Sequence, residues 1–202
     1  MPEQIIQGQD VLLGLAAAGQ EFDAAVACPD GIAVLGSHPD TVELAPFDKN
    51  WLIYACSPHN IEKRTLPRVS EWFEVHVPIQ DQSRSYRYLR ALEDMPVVHM
   101  RDKENMPCFP GAVAYPEREM KVEFGPFVFT SSIAFILAKA IMDCQQFGIK
   151  RIGIFGVMQA SKTEFTYQKP GIQQLIWEAV KRDIDVVAPD VSRLFDPPPE
   201  MF

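Results

Sequence analysis

The sequence predicts an α/β fold: a single Rossmann-like domain with a mostly parallel sheet and helices on both faces. Three observations point there. Short apolar runs such as Ile32-Ala33-Val34-Leu35 and Ile152-Gly153-Ile154-Phe155 are bounded by turn residues and read as strands buried on both faces. Stretches with helical spacing lie between such runs, so strands and helices alternate. At 202 residues the chain has the length of about one domain, and no internal repeat or second core divides it.

Residues 1–30 read as an N-terminal helical arm. Ile5, Ile6, Val11, Leu12, Leu13 and Leu15 lead into Ala16-Ala17-Ala18, and Gly19 stops the helix. The arm can pack on the domain or offer a partner surface, which leaves a homo-oligomer open. The domain proper is assigned to residues 31–202. Its first strand, Ile32 to Leu35, ends at Gly36-Ser37-His38-Pro39-Asp40, and a short helix starts near Thr41. The second strand, Trp51 to Ala55, ends at Cys56-Ser57-Pro58-His59-Asn60, and a basic helical segment follows from Ile61 to Arg68. The third strand is Trp72 to Val77, stopped by Pro78. A helix over Ser83 to Leu92 sets Tyr86, Leu89 and Leu92 on one face, and Val97 to Met100 is a fourth strand.

From 101 to 126 no period is sustained, and Pro107, Pro110, Pro116 and Pro126 read as breaks, so this stretch is assigned as an irregular, lid-like loop. Thr130-Ser131-Ser132 then signals the start of a long helix reaching about Phe147, with Gly148 as its stop. That helix is apolar almost all round and so belongs to the core. Arg151 to Val157 is the clearest strand, Gly171 to Arg182 a helix, and Asp185 to Ala188 a last strand. Asp196-Pro197-Pro198-Pro199 makes a stiff tail.

Composition narrows the function. Lys and Arg total 19 against 27 Asp and Glu, a net charge of −8, which argues against duplex nucleic acid and anionic membrane surfaces as partners. No apolar run approaches the ~18 residues of a membrane span. The opening MPEQIIQGQD lacks the basic start and apolar stretch of a secretory signal, and a cytoplasmic location is expected. The four cysteines, at 28, 56, 108 and 144, form no CxxC pair and read as reduced thiols. Histidines 38, 59, 76 and 99 show no metal-ligand spacing, and no GxxxxGK[ST], GxSxG or HExxH occurs. Neither a metal nor a cofactor is expected.

In open α/β sheets ligands bind beyond the carboxyl ends of the strands, where strand order reverses. Polar residues there are the candidates. Gly36 and Ser37 follow the first strand and can bring bare backbone to a phosphate, or form a plain turn. Ser57, His59 and Asn60 follow the second and offer groups suited to a base or ribose, or to a helix cap. Glu74 and His76 share one face of the third strand, as acid and base at a crevice or as a structural pair. Thr130, Ser131 and Ser132 exceed the one hydroxyl a cap needs, and with Thr130 as that cap the other two are left for an anion. In the polar loop after the strand at 151–157, Tyr167 and Gln168 are taken as the inward members.

Several of these segments resemble a known group. FTSS at 129–132, the apolar helix, Gly148, KRIGIFGV, the loop with Tyr167-Gln168 and the final helix and strand resemble the second half of bacterial sialyltransferase-like Rossmann proteins and the related pterin-diphosphokinase-like family. There a TSG or TSS turn, a helix and an EIxLxGxD strand build a nucleotide site. Ile32 to Asn60 is similar to their opening GxGPS…CN region, and WFEVH with the loop carrying Met106 and Pro107 resembles phage-encoded members. The resemblance spans most of residues 31–195. It implies that Gly36 and Ser37 lie beside nucleotide phosphates and that Asn60 or Ser57 holds ribose or base. It further implies that Thr130, Ser131 and Ser132 bind the nucleotide and that Tyr167 approaches the leaving phosphate. Met158 stands where the sialyltransferases have an acidic residue, and no histidine follows His99 to match their C-terminal base, so His76 or Glu74 takes that role. The expected activity is nucleotide-sugar-dependent glycosyl transfer, with nucleotide or nucleotide-sugar as partner. A non-catalytic nucleotide-binding module and a diphosphotransferase are the alternatives.

Overall fold

The computed structural model describes residues 28–77, 84–158 and 164–196, with residues 164 and 165 in backbone alone. The expected helix before Cys28, the loop residues 159–163 and the proline tail after Asp196 lie outside the described residues. Seven strands form one sheet: β1 (Gly31–Leu35), β2 (Trp51–Ala55), β3 (Glu71–Glu74), β4 (Val98–Met100), β5 (Ala112–Ala114), β6 (Arg151–Phe155) and β7 (Asp185–Val187). Their order is β5-β4-β3-β2-β1-β6-β7, and every pairing is parallel. The chain builds outward from β1 to β5, then returns to place β6 on the other flank of β1.

Among the described residues six α-helices accompany the strands: α1 (Pro39–Val42), α2 (His59–Glu62), α3 (Tyr86–Glu93), α4 (Glu117–Phe124), α5 (Ser132–Phe147) and α6 (Lys169–Val180). Alternate strand residues serve opposite faces. Ile32, Val34, Leu52, Tyr54, Phe73, Ile152 and Ile154 pack with the apolar sides of α5 and α6. Ala33, Leu35, Ile53, Trp72, Val98 and Met100 pack with Tyr88 and Leu92 of α3. Because both faces are covered, the central strands read as unbroken apolar runs. Helix α5 buries residues on all its sides and ends at Gly148, whose φ of 72° is the left-handed cap that glycine adopts without strain.

Three expectations are corrected. The segment 101–126 is not an irregular lid-like loop. It carries edge strand β5, paired with β4, and helix α4, which buries Met120 and Phe124. Three of the four prolines that suggested breaks stand at element starts: Pro107 lies in the short turn Met106–Cys108, Pro116 precedes α4, and Pro126 opens the next turn. The helix expected over Ile61 to Arg68 is the four-residue α2, because Pro67 lacks a donor and disfavours helical backbone at Leu66. The third strand begins one residue earlier than expected, at Glu71, and ends at Glu74.

That earlier start brings a second acidic residue into the sheet. Glu71 pairs with His99 of β4 (Oε2 to Nε2, 2.5 Å), and His99 stacks on Phe73 at 4.6 Å. Beside them the Tyr54 hydroxyl donates to Asp143 Oδ2 (2.7 Å), and Lys139 closes on the same carboxylate at 2.5 and 2.6 Å. Burial pushes the Glu71 carboxyl up, but the hydrogen bond and charge of His99 outweigh it and hold it below the ordinary range. Asp143 goes the other way, raised chiefly by burial despite Lys139. Removing one partner of a buried pair strands the other. His99→Leu is therefore expected to cost about 3–5 kcal/mol, and Glu71→Leu added to it to recover most of the loss, as read from urea denaturation.

Candidate functional site

All strands run one way, so their carboxyl ends share an edge, and α5 and α6, which run back across the sheet, begin at that edge. Strand order reverses between β1 and β6. There the two chain ends cross almost in contact. Gly36 N–H donates to the Phe155 carbonyl (2.8 Å) and His38 N–H to the Gly156 carbonyl (2.9 Å). Gly156 has φ +67°, and a Cβ on it would meet the Gly36 carbonyl at 2.7 Å. Gly156 N–H in turn donates to the Thr41 hydroxyl of α1 at 2.9 Å. Only glycines at positions 36 and 156 permit this approach. The His38 ring accepts the Asp40 N–H through Nδ1 (3.4 Å), so its Nε2 carries a proton.

The end of β2 is tied to this turn by Asn60, 2% exposed. Its Nδ2 donates to the Gly36 carbonyl (2.8 Å) and the Cys56 carbonyl (2.7 Å), which fixes the amide's orientation. Its Oδ1 is left enclosed with no donor among the described residues. An unsatisfied buried acceptor costs about 1–3 kcal/mol. Ser57, between them, has φ 80°, a left-handed conformation rare for a residue with a side chain. His59, the first residue of α2, is exposed. Burial, then the charge of Glu74, pushes the Cys56 thiol up to about 12, so it stays protonated.

Glu74 and His76 do meet. Glu74 is 1% exposed, and its Oε1 lies 2.6 Å from His76 Nδ1. Tyr88 of α3 donates its hydroxyl to Oε2 (2.6 Å), while Arg84 Nη2 reaches Oε1 at 3.2 Å and Oε2 at 3.1 Å. Trp72 Nε1 donates to the Tyr88 hydroxyl at 3.1 Å, closing the chain of bonds. Burial pushes the Glu74 carboxyl up, but hydrogen bonds from His76 and Tyr88 and the Arg84 charge outweigh it and hold it below the ordinary range. His76 Nδ1 also lies 2.9 Å from Arg84 Nη2; in the tautomer that carries its proton on Nδ1, directed to Glu74, Nε2 is the accepting nitrogen. The His76 side chain is 42% exposed and that of Glu74 1%.

At the start of α5 the cap is Ser131, whose Oγ accepts the Ala134 N–H at 3.3 Å. Thr130 is not the cap. Its hydroxyl donates instead to the carbonyls of Val128 (3.5 Å) and Gln168 (3.4 Å), which joins the start of α5 to that of α6. Ser132, the first residue of the helix, is half-buried. Residues 164–168 wind as one wide π turn into α6, so a helical count does not carry across them. Tyr167 is 68% exposed, Gln168 half-buried, and the buried member of this stretch is Lys169, 1% exposed, rather than Tyr167. Thr41, Arg64 and Arg84 were not singled out from sequence. Their partners lie on other elements, and no local spacing marks them.

Among the described residues no group of three or more His, Cys, Asp or Glu could hold a metal ion, and no helix is long and apolar enough to cross a membrane. No family model and no curated protein matches the chain. Among solved structures, the chain is similar to the sialyltransferase CstII from Campylobacter jejuni in complex with a substrate analogue, cytidine-5'-monophosphate. Identity is 13%, the TM-score is 0.53, and 79% of each chain is covered. The likeness is one of fold: a Rossmann-like parallel α/β sheet of the kind that sialyltransferase has.

Ser131→Ala is expected to lower stability by about 1 kcal/mol, with Thr130→Ala and Ser132→Ala close to neutral, in thermal or urea unfolding. The depressed Glu74 carboxyl sets a pH dependence. Its stabilisation is present above the unfolded-state value and lost as pH falls through the lower folded-state value, that is, below about pH 4. Glu74→Gln is expected to flatten that acid limb of the stability-versus-pH curve.

Proposed function

We propose that the chain is a glycosyltransferase-like protein that binds a nucleotide-sugar donor across the carboxyl ends of β1 and β6. His76 acts as its base. The observation that carries this reading is the Glu74–His76 pair. A buried carboxylate lies 2.6 Å from Nδ1 of a partly exposed imidazole at the carboxyl end of β3, on the same sheet edge as the β1–β6 crossing. In the transfer, an acceptor hydroxyl gives its proton to His76 Nε2 and its oxygen attacks the donor sugar carbon. The bond from that carbon to the phosphate oxygen breaks, and the nucleotide leaves with the electron pair. Gly36 and Ser37 are assigned to the phosphates. Ser57, His59 and Asn60 are assigned to ribose or base, and Thr130, Ser131, Ser132 and Gln168 to the far side of the donor. Tyr167, exposed on the rim, is assigned to the departing phosphate. The cytidine monophosphate in the sialyltransferase structure supports a nucleotide as the ligand class.

A binding module without turnover is the second reading. It is favoured by the full set of partners around Glu74, which a purely structural pair would also have. A thermal-shift screen of CMP-, UDP- and GDP-linked sugars tests the donor, since a ligand at 100 times its Kd stabilises by about 2.7 kcal/mol. Product analysis then separates enzyme from module. His76→Asn is expected to cut turnover by roughly 10²–10⁴-fold with donor affinity retained. Unaltered turnover in that variant removes His76 as base, and donor binding without product in the parent protein supports the module.

A further inference from the structure

We infer that Arg64 is a phosphate-binding residue that makes this site select phosphorylated nucleosides over nucleosides. The inference rests on the nucleotide reading above and assigns a residue that it leaves unused. Arg64 stands two residues beyond α2 and is half-buried. Its Nη2 donates to the carbonyl of Ser37 at 3.2 Å, so the guanidinium lies against the turn that leaves β1. Its Nη1 is enclosed and has no acceptor among the described residues. No carboxylate of the described residues forms an ion pair with it. Arginines of comparable burial differ: Arg84 has Glu74, Arg101 has Glu117 and Arg182 has Glu123. A half-buried cation lacking both a counter-ion and an acceptor for an enclosed N–H is unfavourable by itself. An anion seated on the Ser37 turn removes both deficits.

The surroundings select phosphate among anions. Gly36 and His38 spend their N–H groups on the Phe155 and Gly156 carbonyls, so the turn offers a phosphate the Ser37 N–H and hydroxyl, and His38 presents its Nε2–H because Nδ1 already accepts from Asp40. A planar guanidinium matches the oxygens of a phosphate group. In a chain of net charge −8, a local uncompensated cation also draws an anionic ligand to this edge. Free phosphate and the phosphate of a nucleotide share this chemistry.

The test compares the wild-type chain with Arg64→Gln and Arg64→Lys in calorimetric titrations with CMP, UMP, GMP and AMP, with the matching nucleosides and with inorganic phosphate. The wild-type protein is expected to bind one nucleotide about tenfold or more tightly than its nucleoside. Arg64→Gln is expected to lose that advantage while keeping the nucleoside affinity, and Arg64→Lys to keep part of it. The salt dependence of nucleotide binding should weaken in Arg64→Gln. Equal nucleotide affinity in wild type and Arg64→Gln overturns the inference and leaves the donor reading standing. Inorganic phosphate bound by wild type and lost in Arg64→Gln, with no nucleotide or nucleoside bound by either, keeps the phosphate site and overturns the nucleotide reading. No binding of any probe to the wild-type protein overturns both. If Arg64→Gln melts early, Arg64→Lys carries the comparison: a nucleotide-to-nucleoside ratio equal to wild type there overturns the inference, and a reduced one supports it.

Discussion

The close crossing of β1 and β6 is the constraint on which the rest depends. A parallel sheet opens a crevice where its strand order reverses, but the width of that crevice is set by how near the two departing chains come. Here they come within backbone hydrogen-bonding distance, Gly36 to Phe155 and His38 to Gly156. Thr41 and Asn60 then bind the two sides from below, one holding the Gly156 N–H and the other the Gly36 carbonyl. Each brace is a short polar side chain buried in an otherwise apolar region, so each would be a liability without its partner. A side chain at Gly36 or Gly156 would part the strands and break several of these bonds together. The tight Gly36-Ser37-His38 turn follows from this packing.

Stability and the proposed chemistry share the end of β3. Glu74 bonds to Tyr88 and Arg84, which lock α3 and the residues before it onto the sheet, and the same carboxylate holds His76. Such sharing keeps the imidazole oriented without a dedicated support, because the groups that fix Glu74 fix it for packing reasons already. It also means that Glu74 itself is a poor candidate for direct proton transfer. Its oxygens are occupied and enclosed, and its charge is stabilised by three neighbours. In the proposed transfer its part is that of a positioning residue for His76.

Much of this fold is legible in the residues because the physics behind it is local. Continuous apolar runs mark β1, β2 and β6, since both faces of the sheet are covered. Helix α5 declares itself by its length, its hydroxyl start and Gly148. The parts that escape have other causes. β5 spans three residues at a sheet edge, too few for a pattern, and the prolines around α4 look like interruptions although they stand at element starts. Pro67 cuts α2 short in a stretch whose charge alone looked helical. The site divides in the same way. Glu74 and His76 are visible as an alternating polar pair, and the turn residues of β1 and β2 by their place after strands. Which hydroxyl caps α5 is decided by one bond to Ala134. Which residue turns inward before α6 is decided by a wide turn that no 3.6-residue count anticipates. Arg64 and Thr41 become informative only through partners 27 and 115 residues away.

β3 carries acid–imidazole pairs on both of its faces, and the two differ in burial. Glu71 and His99 face α5 near the amino end of the strand, with side chains 8% exposed on each partner and a ring stacked on Phe73. Glu74 and His76 face α3 at the carboxyl end, with the imidazole 42% exposed. The residue types are the same and the contact distances nearly so. Burial separates their roles. An imidazole enclosed on all sides can fix the packing of β3 and β4 but cannot exchange a proton with a bound molecule. One held beside a carboxylate at Nδ1 and 42% exposed keeps a face to solvent through which a proton can pass.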